Sequence, residues 1–190
     1  GGTVELFGLQ AAIEIQMGTL SKALAGEGGF VAGKRVLIDY LMNSARSFIF
    51  STAMAPAGLA VALEALEIVR REPERRRILL EHAVEFRAAL RRLGFQVLPG
   101  ETPLIAVILG DPDRAVRFSS QLLEKGIYVT AIRPPTVPPG TSRLRINLMA
   151  THTRADLEEA LERMGEVGRD MGILPGTPVS SGGGRTREET

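Results

Sequence analysis

From about residue 58 onward the chain runs through a fixed order of helical and extended segments, and that order limits the fold more than any other feature. "GLAVALEALEIVRR" (58–71) and "ERRRILLEHAVEFRAALRRLG" (74–94) both carry helical apolar spacing and are separated at Pro73. In the second, Ile78, Leu79, Val84, Phe86, Leu90 and Leu93 share a broad face, and Gly94 stands where a C-cap belongs. "FQVLP" and "PLIAVILG" read as strands. Asp111 or Asp113 can cap a helix that ends at Lys125-Gly126, and "IYVTAI" (127–132) reads as a further strand. "RPPTVPPG" (133–140) is a proline-stiffened loop, expected to be polyproline II in part. In "RLRINLM" (143–149) Arg143, Arg145 and Asn147 point one way and Leu144, Ile146 and Leu148 the other. Thr153 with Asp156 resembles a capping box that opens a last helix over 154–171. This order predicts an α+β domain, with helices on one face of a mainly antiparallel sheet.

The first 57 residues have no such regularity. "IEIQM" (13–17) alternates like a short strand, a glycine-punctuated stretch follows over 26–33, and 34–45 has helical spacing. "SFIFSTAMAP" (47–56) looks extended and then turns at Ala55-Pro56. These segments are too few to close a core. Together with the absence of an initiator methionine, they read as the trailing part of a larger α/β domain. The expected organisation is therefore a trailing large-domain part over 1–57, a connecting helix and small α+β domain over 58–174, and a disordered tail over 175–190.

Composition narrows the chemistry. There is no cysteine, so disulfides, thiolate metal sites and cysteine nucleophiles are excluded. Two histidines, His82 and His152, leave little for a histidine-rich metal site, and none is expected. The net charge of +1 gives no general pull toward nucleic acid or anionic membrane. No apolar run reaches the length of a membrane span, and the start lacks the pattern of a signal peptide, so a cytoplasmic protein is expected. "GGFVAGKR" (28–35) spaces its glycines and lysine like a phosphate-binding loop, but Arg35 stands where the magnesium-binding hydroxyl belongs. The arginines at 70, 71 and 75–77 alternate with glutamates and read as a solvated helix surface.

Of the 23 basic residues only Lys22, Lys34 and Lys125 are lysines, so amine chemistry must use one of them. Lys125 sits at a helix C-terminus beside Gly126, where a cation complements the dipole. Lys34 opens a surface helix. A lysine that bonds a carbonyl carbon belongs near a strand end in a shielded pocket. Lys22 follows a strand, has Leu20, Ala23, Leu24 and Ala25 as neighbours, and has Thr19 and several glycines close by as donors for a phosphate. Read alone, an ordinary solvated lysine stays open at this position.

The stretches "QMGTLSKALAGEGGFVAG", "RSFIFSTA" and "AIRPPTVPPGTSRLRINLMATHT" resemble the α-oxoamine synthase family, which depends on pyridoxal 5′-phosphate (PLP) and has the fold type I architecture. The resemblance runs in order over nearly all of residues 1–172. It implies an α/β fold: the trailing part of a large PLP-binding domain plus a C-terminal α+β small domain. It also implies that Lys22 forms the internal aldimine and moves the Cα proton, and that Thr19 binds the cofactor phosphate. Ser51 and Thr52 would reach that phosphate across a homodimer interface, Thr136 would contact substrate, and Arg145 would bind the amino-acid carboxylate. The double proline favours the member that condenses L-alanine with a pimeloyl thioester in biotin synthesis. The alternatives are a sister enzyme using glycine and acetyl-CoA, or a non-catalytic fragment. The family's aspartate for the pyridine nitrogen and its ring-stacking histidine precede the region matched here.

Overall fold

The computed structural model describes residues 2–175, so the expected tail lies almost wholly outside the described residues. The described chain forms two compact units, one through Pro73 and one from Glu74 onward.

In the first unit a short helix α1 (Thr3–Leu6) precedes the strands β1 (Ile15–Thr19) and β2 (Gly29–Gly33), then the helices α2 (Arg35–Ser44), α3 (Arg46–Ile49) and α4 (Pro56–Arg71). β1 and β2 pair antiparallel, with Ile15 opposite Gly33 and Thr19 opposite Gly29. β1 thus lies two residues beyond the expected 13–17. Its partner explains the offset, because a Cβ on Gly29 would come 2.9 Å from the Gly18 carbonyl oxygen, so only glycine allows this pairing. The expected extended run at 47–56 begins instead with the helical turn α3. Phe48 and Ile49 have strand-forming side chains but no partner strand, and their N–H groups donate to the Ala45 carbonyl at 3.0 Å. The helix expected from residue 58 starts two residues earlier, at Pro56, whose missing N–H costs nothing in a first turn. By compactness α4 groups with the first unit.

The second unit contains α5 (Glu74–Leu93), β3 (Leu104–Gly110), α6 (Pro112–Glu124), β4 (Thr130–Ile132), β5 (Ser142–Asn147) and α7 (Arg154–Asp170). The three strands form an antiparallel sheet in the order β3-β5-β4. Strand alternation decides which face is buried: Ile105, Val107, Leu109, Leu144 and Ile146 point into the core. There they meet Phe86 and Leu90 of α5, Phe118 and Leu122 of α6, and Met164 and Val167 of α7. Each such side chain contributes about 1.5–3 kcal/mol on burial. Phe95 and Phe118 meet edge to face, with ring centroids 5.9 Å apart. The caps match the sequence: Gly94 ends α5 at φ +103°, and Asp111 accepts the Arg114 N–H at 2.7 Å to open α6. Thr153 and Asp156 exchange both bonds of a capping box at α7.

Three expectations in this unit change, the first being the strand over 127–132, of which only β4 (Thr130–Ile132) is paired. "FQVLP" forms a single bridge, Val97 to Val107, rather than a strand. The proline loop turns at 134–135 and 139–140 instead of running extended, and its Pro134-Pro135 peptide is cis.

Candidate active site

Thr19 is the last residue of β1, and the loop from 20 to 28 brings the chain back to β2. Leu20 is the buried anchor of that loop. Its N–H donates to the Gly28 carbonyl at 3.0 Å, and its carbonyl accepts the Gly26 N–H at 2.8 Å. Lys22 sits on the outside of this closed loop, where its carbonyl accepts the Ala25 N–H at 3.0 Å. Its amine makes no hydrogen bond or ion pair among the described residues, and its side chain is exposed. Among the described residues of the first unit, none shields the Lys22 side chain. Leu20 turns inward, while Ala23 and Ala25 are too small and too exposed to cover the amine.

Thr19 sits at the centre of a small hydroxyl cluster. Its Oγ1 lies 2.7 Å from Ser21 Oγ and accepts the Ser21 N–H at 3.2 Å. Ser21 was not singled out from the sequence. The signal was there in "TLSK", two hydroxyls at alternate positions before a lysine. Of the other lysines, Lys125 is tied to Glu166 at 3.0 Å, and that bond holds the Glu166 carboxyl below the usual carboxylate range. Lys34 is exposed at the N-cap of α2 and has no neighbouring hydroxyl pair in its turn. Lys22 alone joins an unpaired amine to such a cluster.

Ser51 and Thr52 lie in the same unit, between α3 and α4. Ser51 Oγ donates to the Ser47 carbonyl, and Thr52 is exposed. Their segment reaches the lysine loop through Met54, whose sulfur lies 3.4 Å from where a Cβ on Gly28 would stand. Met54 and Thr19 thus both approach Gly28, Thr19 through its hydroxyl at 3.3 Å from the Gly28 carbonyl oxygen.

Thr136 and Arg145 belong to the second unit. Thr136 is exposed in the β4–β5 loop, its N–H on the Arg133 carbonyl at 3.1 Å. Arg145 stands on the face of β5 that points away from the core, between Ala106 on β3 and Thr130 on β4. Both flanking side chains are small, and its guanidinium has no acceptor among the described residues. Arg143, two residues earlier, is tied down: its Nε and Nη2 donate to Thr141 O and Oγ1 at 2.9 and 3.0 Å. The alternation of β5 marks both arginines equally, and only the three-dimensional contacts separate the free one from the bound one.

An exposed lysine that follows two hydrogen-bonded hydroxyl residues in the chain and precedes a glycine-rich return fits a cofactor that carries an aldehyde and a phosphate. The comparisons point the same way. The chain belongs to the aminotransferase class I and II family, whose profile matches residues 2–164. Its fold is that of the fold type I PLP-dependent enzymes. A relative in Acetivibrio thermocellus is 54% identical over 174 residues. The 8-amino-7-oxononanoate synthase of Lysinibacillus sphaericus is 47% identical over 173 residues. These matches cover 92% and 91% of this chain but 45% and 44% of the relatives, so the chain spans less than half their length. Among solved structures, Sphingomonas wittichii serine palmitoyltransferase superposes with a TM-score of 0.87 at 30% identity, over 92% of this chain and 44% of that one. A high-resolution structure of SPT with PLP internal aldimine gives the same TM-score and identity over 91% of this chain and 44% of that one.

Proposed function

We propose that this sequence serves a PLP-dependent C-acyl transfer, the decarboxylative condensation of L-alanine with a pimeloyl thioester to 8-amino-7-oxononanoate. The observation that carries the reading is the exposed Lys22, next in the chain to the hydrogen-bonded Thr19–Ser21 hydroxyl pair. The relatives in Lysinibacillus sphaericus and Geobacter sulfurreducens, both named 8-amino-7-oxononanoate synthase, support the substrate pair. In the balanced reaction a C–C bond forms between the alanine Cα and the acyl carbon. The carrier thiol and carbon dioxide leave.

In this reading Lys22 holds the cofactor through its amine and moves the proton at the alanine Cα. Thr19 holds the phosphate, and Ser51 and Thr52 reach the phosphate of a second copy in a homodimer. When bound, PLP supplies an electron sink for the charge that develops at Cα. Arg145 binds the amino-acid carboxylate. A guanidinium fork takes a carboxylate through two parallel bonds, and Ala106 and Thr130 leave room for it. Thr136 contacts the substrate from its loop.

A second reading, that these 190 residues alone turn nothing over, is favoured by the exposure of Lys22. A Schiff-base lysine works best where water is kept out. The test is thiol release in two settings. One is the 190-residue chain, and the other is the same chain joined behind the first half of the Lysinibacillus sphaericus synthase. The expected result is background release from the chain alone, and alanine-dependent release from pimeloyl-CoA in the joined protein, lost on Lys22→Ala. A joined protein that prefers glycine and acetyl-CoA would move the reading to the sister activity. Full turnover by the 190 residues alone would remove the fragment reading.

A further inference from the structure

The outward face of the second unit's sheet carries more than Arg145. Bonds from Leu98 N–H to the Ala106 carbonyl and from Ile108 N–H to the Gln96 carbonyl, at 3.0 and 2.8 Å, lay residues 96–98 along the free edge of β3. Strand register then sets Gln96, Ile108, Arg143 and Ile132 in one row across this face, next to the row that contains Arg145. Where the first row reaches the end of the sheet, a cavity of about 500 Å³ opens. Gln96, Leu98, Ile108, Arg114, Thr141 and Arg143 contribute side chains to its wall.

The polarity of that wall is one-sided. It holds two guanidiniums and no carboxylate. Thr141 fixes the plane of Arg143 through Nε and Nη2, and Nη1 has no acceptor among the described residues. The Arg114 side chain has no partner among the described residues. The nearby Asp111 is committed to the N-cap of α6 by its bond to the Arg114 N–H. The chain crosses the cavity as bare backbone at Gly110 and Gly140, both at positive φ of +79° and +74°, where a side chain would be strained. Leu98 and Ile108 add an apolar side to the same space.

An apolar wall that ends in a fixed guanidinium suits an aliphatic chain with a terminal carboxylate better than it suits a bare phosphate. We propose that Arg143 and Arg114 form the subsite for the far carboxylate of a dicarboxylic acyl thioester. The proposal rests on the reading of the reaction given above and names the part of the acyl donor that this chain selects. Arg143 and Arg145 share a strand face two residues apart, about 7 Å along the strand. That separation is of the order spanned by the methylenes of a pimeloyl chain. The two arginines then divide the work, with Arg145 on the amino acid and Arg143 on the acyl tail. An acetyl donor has no group for this subsite.

The experiment compares pimeloyl-CoA with heptanoyl-CoA, which has the same chain length without the terminal carboxylate. Binding of each to the 190-residue chain is measured by titration calorimetry. The expected result is binding of pimeloyl-CoA tighter by about tenfold, the size of one charge-assisted contact. Arg114→Gln and Arg143→Gln should each shrink that ratio, and the double variant should bring it to unity. Arg114→Gln is the cleaner probe, since it removes no side-chain hydrogen bond or ion pair among the described residues, and circular dichroism should be unchanged. Equal affinities in the unsubstituted chain, no measurable binding of either thioester, or a ratio that survives the double variant would each overturn the subsite. A joined protein that uses glycine and acetyl-CoA while the tenfold ratio persists would instead overturn the reaction and leave the anion subsite standing.

Discussion

The two units put structure and chemistry in different places. The second buries a continuous core from Ala83 to Leu174 against one face of its sheet. The first buries only Leu20 and Ala62 among its described hydrophobic residues, while Phe7, Met17, Val36, Tyr40, Phe48, Phe50 and Leu63 are exposed. Yet Lys22, the residue proposed to hold the cofactor, stands on the poorly buried unit. A segment of this size closes a stable core only when nearly all its apolar side chains turn inward. The contrast shows that the second unit has the means to fold by itself. The first holds its hairpin by backbone pairing and glycine contacts, and leaves its apolar surface to be covered.

That contrast can be broken most directly by separating the units. Residues 74–175 expressed alone should give one cooperative thermal transition and protected amides in β3 and β5. Residues 1–73 alone should give neither. A cooperative melt of 1–73 would contradict the comparison.

Within the intact chain, Phe118→Ala should cost about 3–5 kcal/mol in denaturant unfolding, because it empties a fully packed site. Phe50→Ala, on an exposed ring, should stay within about 0.5 kcal/mol.

A smaller effect is expected at Arg87. It is 4% exposed, with no carboxylate partner among the described residues, and burial pushes its guanidinium pKa down. Its Nη2 donates to the Thr102 carbonyl at 2.8 Å and the Leu104 carbonyl at 3.3 Å, which pins the approach to β3. Arg87→Ala takes this donor from the Thr102 carbonyl and leaves the Leu104 carbonyl with the Thr102 hydroxyl at 3.4 Å, and should cost about 1–3 kcal/mol.

Below the Arg87 cost comes that of the cap of α7. Thr153→Ala should cost about 1 kcal/mol. The Thr153 backbone N–H and hydroxyl bond the charged form of Asp156 and hold its carboxyl below the usual range. A lowered folded-state pKa contributes stability above the unfolded value of about 3.9 and loses it as pH falls through the folded value. The stability gap between the unsubstituted chain and Asp156→Asn should therefore close below about pH 4. A gap that stays constant with pH would show that the carboxylate charge does not matter there.

What the sequence made legible follows from range. The capping box at Thr153, the Gly94 cap and the alternation of β5 depend on neighbours a few residues away, and each is visible in the string. Lys22 stood out because lysine is scarce. The turn at α3 and the single bridge at Val97 were not legible. Strand-forming residues become strands only where a partner is in reach, and that is decided elsewhere in the chain. The Gln96–Arg114–Arg143 cavity was hidden for the same reason, since its walls come from four separate segments.

The most direct test of the account is where PLP attaches. The chain is incubated with substoichiometric PLP or with pyridoxal, reduced with borohydride and mapped by peptide mass spectrometry. The account predicts a pyridoxyl mass on Lys22, little on Lys34 or Lys125, and a clear preference for the phosphorylated aldehyde that weakens in Thr19→Val. Labelling spread evenly over the three lysines, or equal labelling by pyridoxal, would mean that Lys22 is an ordinary exposed amine.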